Sequence, residues 1–216
     1  MMSSETNIAL LALLLLGATT FAVWRGLTLL AAVQVTMMIC IPLLGASTFT
    51  AFGYSSNIGN VFFAVAMHGI SLTFLLAGRD ATRRSIGNTF AALIIVLVSI
   101  LILQQAHLVS PLFDARVQFA AARIMAFSLV QPIYVYLLGR PSEWPYLLRA
   151  PLISIAMQGL DCLVFFPDAF IGVLPSELML QFALVGFATR LFVTLLTIPF
   201  MVFSLVMLRG GMLRVF

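Results

Sequence analysis

VFFAVAMHGISLTFLLAGRDATRR, residues 61–84, carries the pattern that decides the fold. From Val61 to Gly78 there is no formal charge, and then Arg79, Arg83 and Arg84 follow within a few residues. A bilayer core about 30 Å thick needs roughly 20 apolar residues in helical form, and this run meets the requirement. The same arrangement recurs along the chain. Ile8 to Trp24 ends at Arg25, Val117 to Leu138 is followed by Arg140 and Arg149, and Met179 to Leu208 is followed by Arg209 and Arg214. The segments between these runs on the other side carry Asp114, Arg116, Asp168 and Glu177, with a single basic residue among them. Cytoplasmic loops of membrane proteins are enriched in Arg and Lys, so the arginine-rich side is expected to be cytoplasmic. The N-terminus is then outside, the C-terminus cytoplasmic, and the number of spans odd.

Seven spans satisfy that count, at about 7–24, 27–45, 61–78, 86–104, 117–138, 150–172 and 179–208. The expected fold class is all-α, a polytopic membrane helical bundle. Composition agrees: 62% of residues are hydrophobic and 8% charged, against roughly 25% charged in soluble domains. The mean hydropathy is +1.16. A pI near 9.7 would point to nucleic acid in a soluble chain. Here the positive charge sits where it orients helices and meets anionic lipid, so no nucleic-acid partner is expected. Cys40 and Cys162 each fall inside an apolar run, which argues for packed thiols rather than a disulfide or metal site. The first run lacks a basic leader and is followed by Arg25, so it reads as a retained helix rather than a signal peptide. Thr48 to Asn60 reads as an outer loop or a lid, Gln104 to Arg116 as a short interfacial helix, and Gly139 to Pro151 as a linker. Trp144 and Tyr146 in that linker suit the membrane interface.

Function is sought in residues that a lipid-facing helix should not contain. Asp161 lies about 16 Å into its span at 1.5 Å per residue, and Arg190 reaches nearly the same depth from the other side. Buried charges in a membrane are costly and normally pair or serve a site, so these two are expected to pair. The plain alternative is a purely structural bridge. Gln158 shares the Asp161 face three residues earlier, Thr194 and Thr197 continue the Arg190 face, and Gln131 sits at the level of Gln158 beside the helix-kinking Pro132. Each polar residue alone could be interhelical glue; their common depth favours a site. Arg123 could snorkel outward along its stem as a gate or structural residue. His68 and Ser71 share a face of the third span, where a histidine could relay protons or bind a ligand, or be packed. Walker, Gly-rich phosphate-loop, HExxH and nucleophile-elbow motifs do not occur in the sequence, so the chain is not expected to be an enzyme, and no cofactor or metal is expected.

Three stretches, in order, give the chain a resemblance to a known family: LTFLLAGRDATRRSI (72–86), AARIMAFSLVQPIYVYLLGR (121–140), and LISIAMQGLDCLVFF (152–166) followed by ALVGFATRLFVTLLTIPF (183–200). They resemble the queuosine precursor transporter family, also called vitamin uptake transporters. Gly78, Arg83, Arg84, Gln131, Arg140, Gln158, Asp161, Arg190 and Pro199 occupy positions of its motifs. Ser71 stands where that family has an acidic residue, Tyr134 replaces an aspartate, Cys162 a threonine and Arg190 a lysine. The resemblance implies a six-helix transporter-like core, residues 27–216, preceded by one extra N-terminal helix, residues 1–26, in a multi-pass inner-membrane protein. It implies import of a 7-deazaguanine precursor of queuosine or a similar solute. Asp161 would accept the two adjacent donors of the guanine-like edge, Gln131 and Gln158 would read its neighbours, and Tyr134 or Phe165 would stack on the base. Two alternatives are a vitamin-binding S-component of an energy-coupling factor transporter and a non-transport structural subunit of a larger membrane complex. A homo-oligomer or membrane partner subunits fit either. A transporter predicts a cavity between the fifth, sixth and seventh spans; a scaffold predicts a filled core. On the transporter reading, Asp161→Asn should lower uptake while expression stays near normal.

Overall fold

The computed structural model describes residues 4–44, 48–51, 54–105, 114–172 and 174–209. The described chain runs α1 (Ser4–Arg25), α2 (Leu27–Leu44), β1 (Thr48–Ala51), β2 (Tyr54–Asn57), α3 (Gly59–Gln105), α4 (Asp114–Leu138), α5 (Tyr146–Phe170) and α6 (Ser176–Arg209). All six helices are long and apolar enough to cross a membrane. The protein is an all-α membrane bundle.

Helix α3 crosses twice. Its 47 residues would extend about 70 Å if straight, more than twice a bilayer core. It is broken at Gly78, whose φ of 75° and ψ of −170° are not helical. The amide of Gln34 on α2 shows that the two arms fold back on each other. Its Nε2 donates to Thr73 Oγ1 at 2.7 Å, and its Oε1 accepts from Ser85 Oγ at 2.6 Å. In a straight helix those two hydroxyls would lie about 18 Å apart, beyond the reach of one amide. Gly69 makes room for this junction, since a Cβ there would stand 2.9 Å from Gln34 Cγ. The third and fourth expected spans are therefore the arms 59–77 and 79–105. One difference is that residues 79–85, expected as a loop, are already helical. Thr82 Oγ1 returns to the Gly78 carbonyl at 2.8 Å, so the second arm starts at the break itself.

That backbone region is open essentially to glycine alone, at a cost of about 1–3 kcal/mol for other residues. Nothing crowds Gly78, so Gly78→Ala should act through strain only. The expected result is a lower thermal midpoint in detergent by about 2–6 °C, with Gly87→Ala, in the helical second arm, unchanged or raised.

The segment Thr48 to Asn60, expected as a loop, contains instead a two-stranded antiparallel hairpin pairing Thr48 with Asn57 and Thr50 with Ser55. It packs on α6 and α1. The expected interfacial helix at Gln104 to Arg116 lies mostly outside the described residues; α3 ends at Gln105 and α4 begins at Asp114. Helices α3 to α6 pack mutually around the centre, α2 lies along α3, and α1 packs on α2, α3 and α6. At the arginine-rich end, Arg149 caps α4 by donating to the carbonyls of Leu138 at 2.9 Å and Arg140 at 2.7 Å. Tyr146, expected at the lipid interface, is packed inward: its hydroxyl donates to the Ser71 carbonyl at 2.7 Å, and its ring stacks on Phe74. Trp144 is exposed.

The polarity is inverted relative to a soluble protein. Large apolar side chains face outward on every helix, with Leu163 75% exposed, while Asp161 two residues away is 0% exposed. In lipid, polar groups must find partners inside the bundle, and that inner face is where the site lies.

Candidate functional site

Helical periodicity puts Ser154, Gln158, Asp161 and Phe165 on the inner face of α5, and all are buried. Arg190, Thr194 and Thr197 line the facing stripe of α6, Arg123, Gln131 and Tyr134 that of α4, and Asn60, Phe63, His68 and Ser71 that of α3; all are buried. Gly186 sets the approach of α6, because a Cβ there would lie 2.6 Å from the Phe166 ring and 3.0 Å from Asn60 Nδ2.

Asp161 is the hub. Arg123 donates to it through both terminal nitrogens, Nη1 to Oδ2 at 2.9 Å and Nη2 to Oδ1. Arg190 Nη1 donates to Oδ2 at 2.5 Å, and Arg190 Nε donates to Asn60 Oδ1 at 2.8 Å. Phe63 packs against both guanidiniums, each 4.4 Å from its ring centroid, and Phe165 covers the Arg123 guanidinium at 4.8 Å. The negative faces of these rings attract the cations. From Asn60 the network continues outward: its Nδ2 donates to Ser56 Oγ at 3.2 Å, and Ser56 meets the Thr189 hydroxyl at 3.4 Å. The hairpin is thereby tied to the charged cluster.

One turn along α5 from Asp161, Gln158 Nε2 donates to Ser154 Oγ at 2.9 Å and to Thr194 Oγ1 at 2.8 Å. Ser154 and Thr194 also line a narrow cleft with His68, Ser71 and Thr197, too tight to hold a water molecule. Tyr134 OH and Ser71 Oγ share a 2.5 Å hydrogen bond. Gln131 Nε2 donates to Met67 Sδ at 3.0 Å. Several buried polar atoms have no partner: Gln131 Oε1, Gln158 Oε1, both ring nitrogens of His68, Arg123 Nε and Asn57 Nδ2.

The expected pairing of Asp161 with Arg190 is present, but the expected surroundings differ. Arg123 does not snorkel; it is 0% exposed and holds Asp161 from both oxygens. Its stem reaches the carboxylate because residue 123 of α4 and residue 161 of α5 lie at similar distances from the same end of the bundle. The carboxylate oxygens, expected to receive two solute donors, are already occupied by guanidinium N–H groups. The Tyr134 and Phe165 rings, expected to stack on a base, are packed against Ser71 and Arg123. Gln131, Gln158 and Asp161, expected to open to one side of the membrane, are at most 1% exposed. His68 and Ser71 stand together on the cleft. Sequence reasoning missed Asn60, Phe63 and Gln34. Gln34 carried the same signal as Gln131, an amide inside an apolar run. Asn60 and Phe63 carried none, one being assigned to a loop and the other to ordinary packing.

No family model, no curated protein and no solved structure matches this chain.

Proposed function

We propose that this multi-pass membrane protein binds a small polar solute between α3, α4, α5 and α6 and carries it across the bilayer. The unpartnered polar atoms of Gln131, Gln158 and His68 in the membrane interior are the observation that carries the reading. Each unmade hydrogen bond costs about 1–3 kcal/mol, and a bundle serving only as packing gains nothing from them. A bound solute supplies the missing partners. The sealed geometry is then a closed conformation that opens to admit the solute, with the cleft at His68, Ser71, Ser154 and Thr194 as the place where helices part. The arginine bias supports an orientation with that cleft toward the cytoplasm.

The resemblance to queuosine precursor transporters supports a 7-deazaguanine as the solute. Because Asp161 is engaged, the two donors of a guanine-like edge are better matched by the free carbonyl oxygens of Gln131 and Gln158. In proteoliposomes, labelled 7-deazaguanine is expected to accumulate and guanine to compete better than adenine, which presents an acceptor at N1. Gln158→Leu removes one acceptor and should weaken binding by about tenfold or more. Binding without uptake would favour an S-component-like role, and absence of both would remove deazaguanines as the solute. A second reading, a non-transport membrane subunit, is favoured by a cleft too narrow for a water molecule; it predicts no solute binding and co-purification with a partner.

A further inference from the structure

The charged cluster is out of balance. Two guanidiniums share one carboxylate, all three at most 1% exposed, so the cluster has a formal charge of +1. Among the described residues no other carboxylate touches either arginine. Asp168 lies two turns further along α5, about 10 Å away, and is half-buried. Glu5 is half-buried and lines a separate groove with Phe49 and Thr189. An isolated pair would need no third charge, and an uncompensated one inside a membrane is expensive. Phe63 and Phe165 offset part of the excess through their ring faces, but a quadrupole does not replace a counterion.

The surplus extends to hydrogen bonding. Arg123 Nε is a buried donor with no acceptor, and so is Asn57 Nδ2. Asn57 is the cap of α3, its Oδ1 accepting from Asn60 N at 3.1 Å. The positive end of the 19-residue first arm of α3 therefore faces the same region, through Asn60, whose side chain contacts Arg190. Helix N-termini favour anions. Net charge, orphaned donors and a helix N-terminus agree in sign.

We propose that the Arg123–Asp161–Arg190 cluster binds one monovalent anion, with Arg123 Nε as its donor and the N-terminal turn of α3 beside it. The anion is a halide or the carboxylate of an organic solute. This site stands independently of deazaguanine transport, which concerns the amides and His68 nearer the other end of the bundle.

The test is the thermal midpoint of the protein in nanodiscs, in sodium HEPES as a bulky-anion reference, with sodium chloride, formate or benzoate added at constant ionic strength. A rise of roughly 4 °C at about ten times the dissociation constant is expected. A rise with chloride and formate assigns a free small anion; a rise with benzoate alone assigns an aromatic carboxylate. No rise with any of the three overturns the proposal. Arg123→Met leaves a neutral Asp161–Arg190 pair and should abolish the shift, whereas Arg123→Lys should retain part of it. An unchanged shift in Arg123→Met overturns the proposal too. Should that variant not fold, NMR on the native protein with the anion that raised the midpoint decides: chlorine line broadening, or benzoate saturation transfer, that is reversed by a competing anion supports the site, and its absence overturns it. These readouts use no uptake, so failure of transport and failure of the anion site are separable.

Discussion

Asp161→Asn is expected to eliminate folded protein rather than to spare folding and remove activity alone. The carboxylate receives N–H groups from Arg123 and Arg190 in a site 0% exposed. An asparagine offers one acceptor oxygen and an amide whose own donors oppose the guanidiniums. Two buried cations then remain beside each other without a counter-charge. Removing one partner of a buried pair costs about 3–5 kcal/mol, comparable with the whole stability of many proteins. Fluorescence-detected size-exclusion of a tagged form should therefore show the monodisperse peak lost. The informative companion is the triple replacement Arg123→Met, Asp161→Leu, Arg190→Met. Apolar substitution of a complete buried ionic cluster is often neutral or stabilising, so the peak should return while any anion dependence stays absent. A monodisperse, thermally normal Asp161→Asn protein would show that the cluster is not what holds α4, α5 and α6 together. It would also restore the expectation drawn from the sequence alone, that this variant expresses normally.

The contrast between those expectations marks what the sequence could convey. Spans were legible because the bilayer imposes one length and one polarity on every crossing. The seven runs correspond to α1, α2, the two arms of α3, and α4 to α6. The β-hairpin was not legible: TFTAFGYSSN has the glycine and polar residues of a loop, and the α6 and α1 surfaces it packs on lie far away or unmarked in the sequence. For the site, depth along a helix can be counted from residue numbers, which brought Asp161 and Arg190 together. Rotation about the helix axis is harder, because a residue near a span end has two outlets for a long side chain. Arg123 sits where outward snorkelling and inward pairing are both geometrically open, and only the packing of α4 on α5 decides between them. The stoichiometry of the cluster, two arginines to one aspartate, followed from that decision and so was hidden. Gln34 was hidden by a different cause. It joins α2 to both arms of α3, a contact that cannot be inferred without knowing that the chain reverses at Gly78.

Arg190→Lys is expected to loosen the hairpin while leaving the bundle folded, although it preserves charge. Arg190 uses two separated nitrogens, Nη1 for Asp161 at 2.5 Å and Nε for Asn60 at 2.8 Å. A lysine has one nitrogen and cannot occupy both positions. The ionic partner should win, because charge left unpaired costs more than a neutral amide left unpaired. Asn60 then loses its hydrogen bond to α6, and the Ser56–Asn60 pair, itself joined at 3.2 Å, is left hydrogen-bonded to α6 through the 3.4 Å contact of Ser56 with the Thr189 hydroxyl. A hydrogen bond to a charged group contributes about 1.5–3 kcal/mol, so opening of the segment around residues 54–60 should become at least about tenfold more frequent. Hydrogen exchange followed by mass spectrometry in nanodiscs would read this as faster exchange across residues 54–60, with the 150–166 region of α5 as protected as before. Equal protection at 54–60 in both proteins would mean that the hairpin is held by its packing on α1 and α6, and that Asn60 is not the latch between hairpin and charged cluster. Faster exchange in α5 as well would mean that the lysine fails to neutralise Asp161, placing the geometry of the fork, and not only its charge, at the centre of the fold.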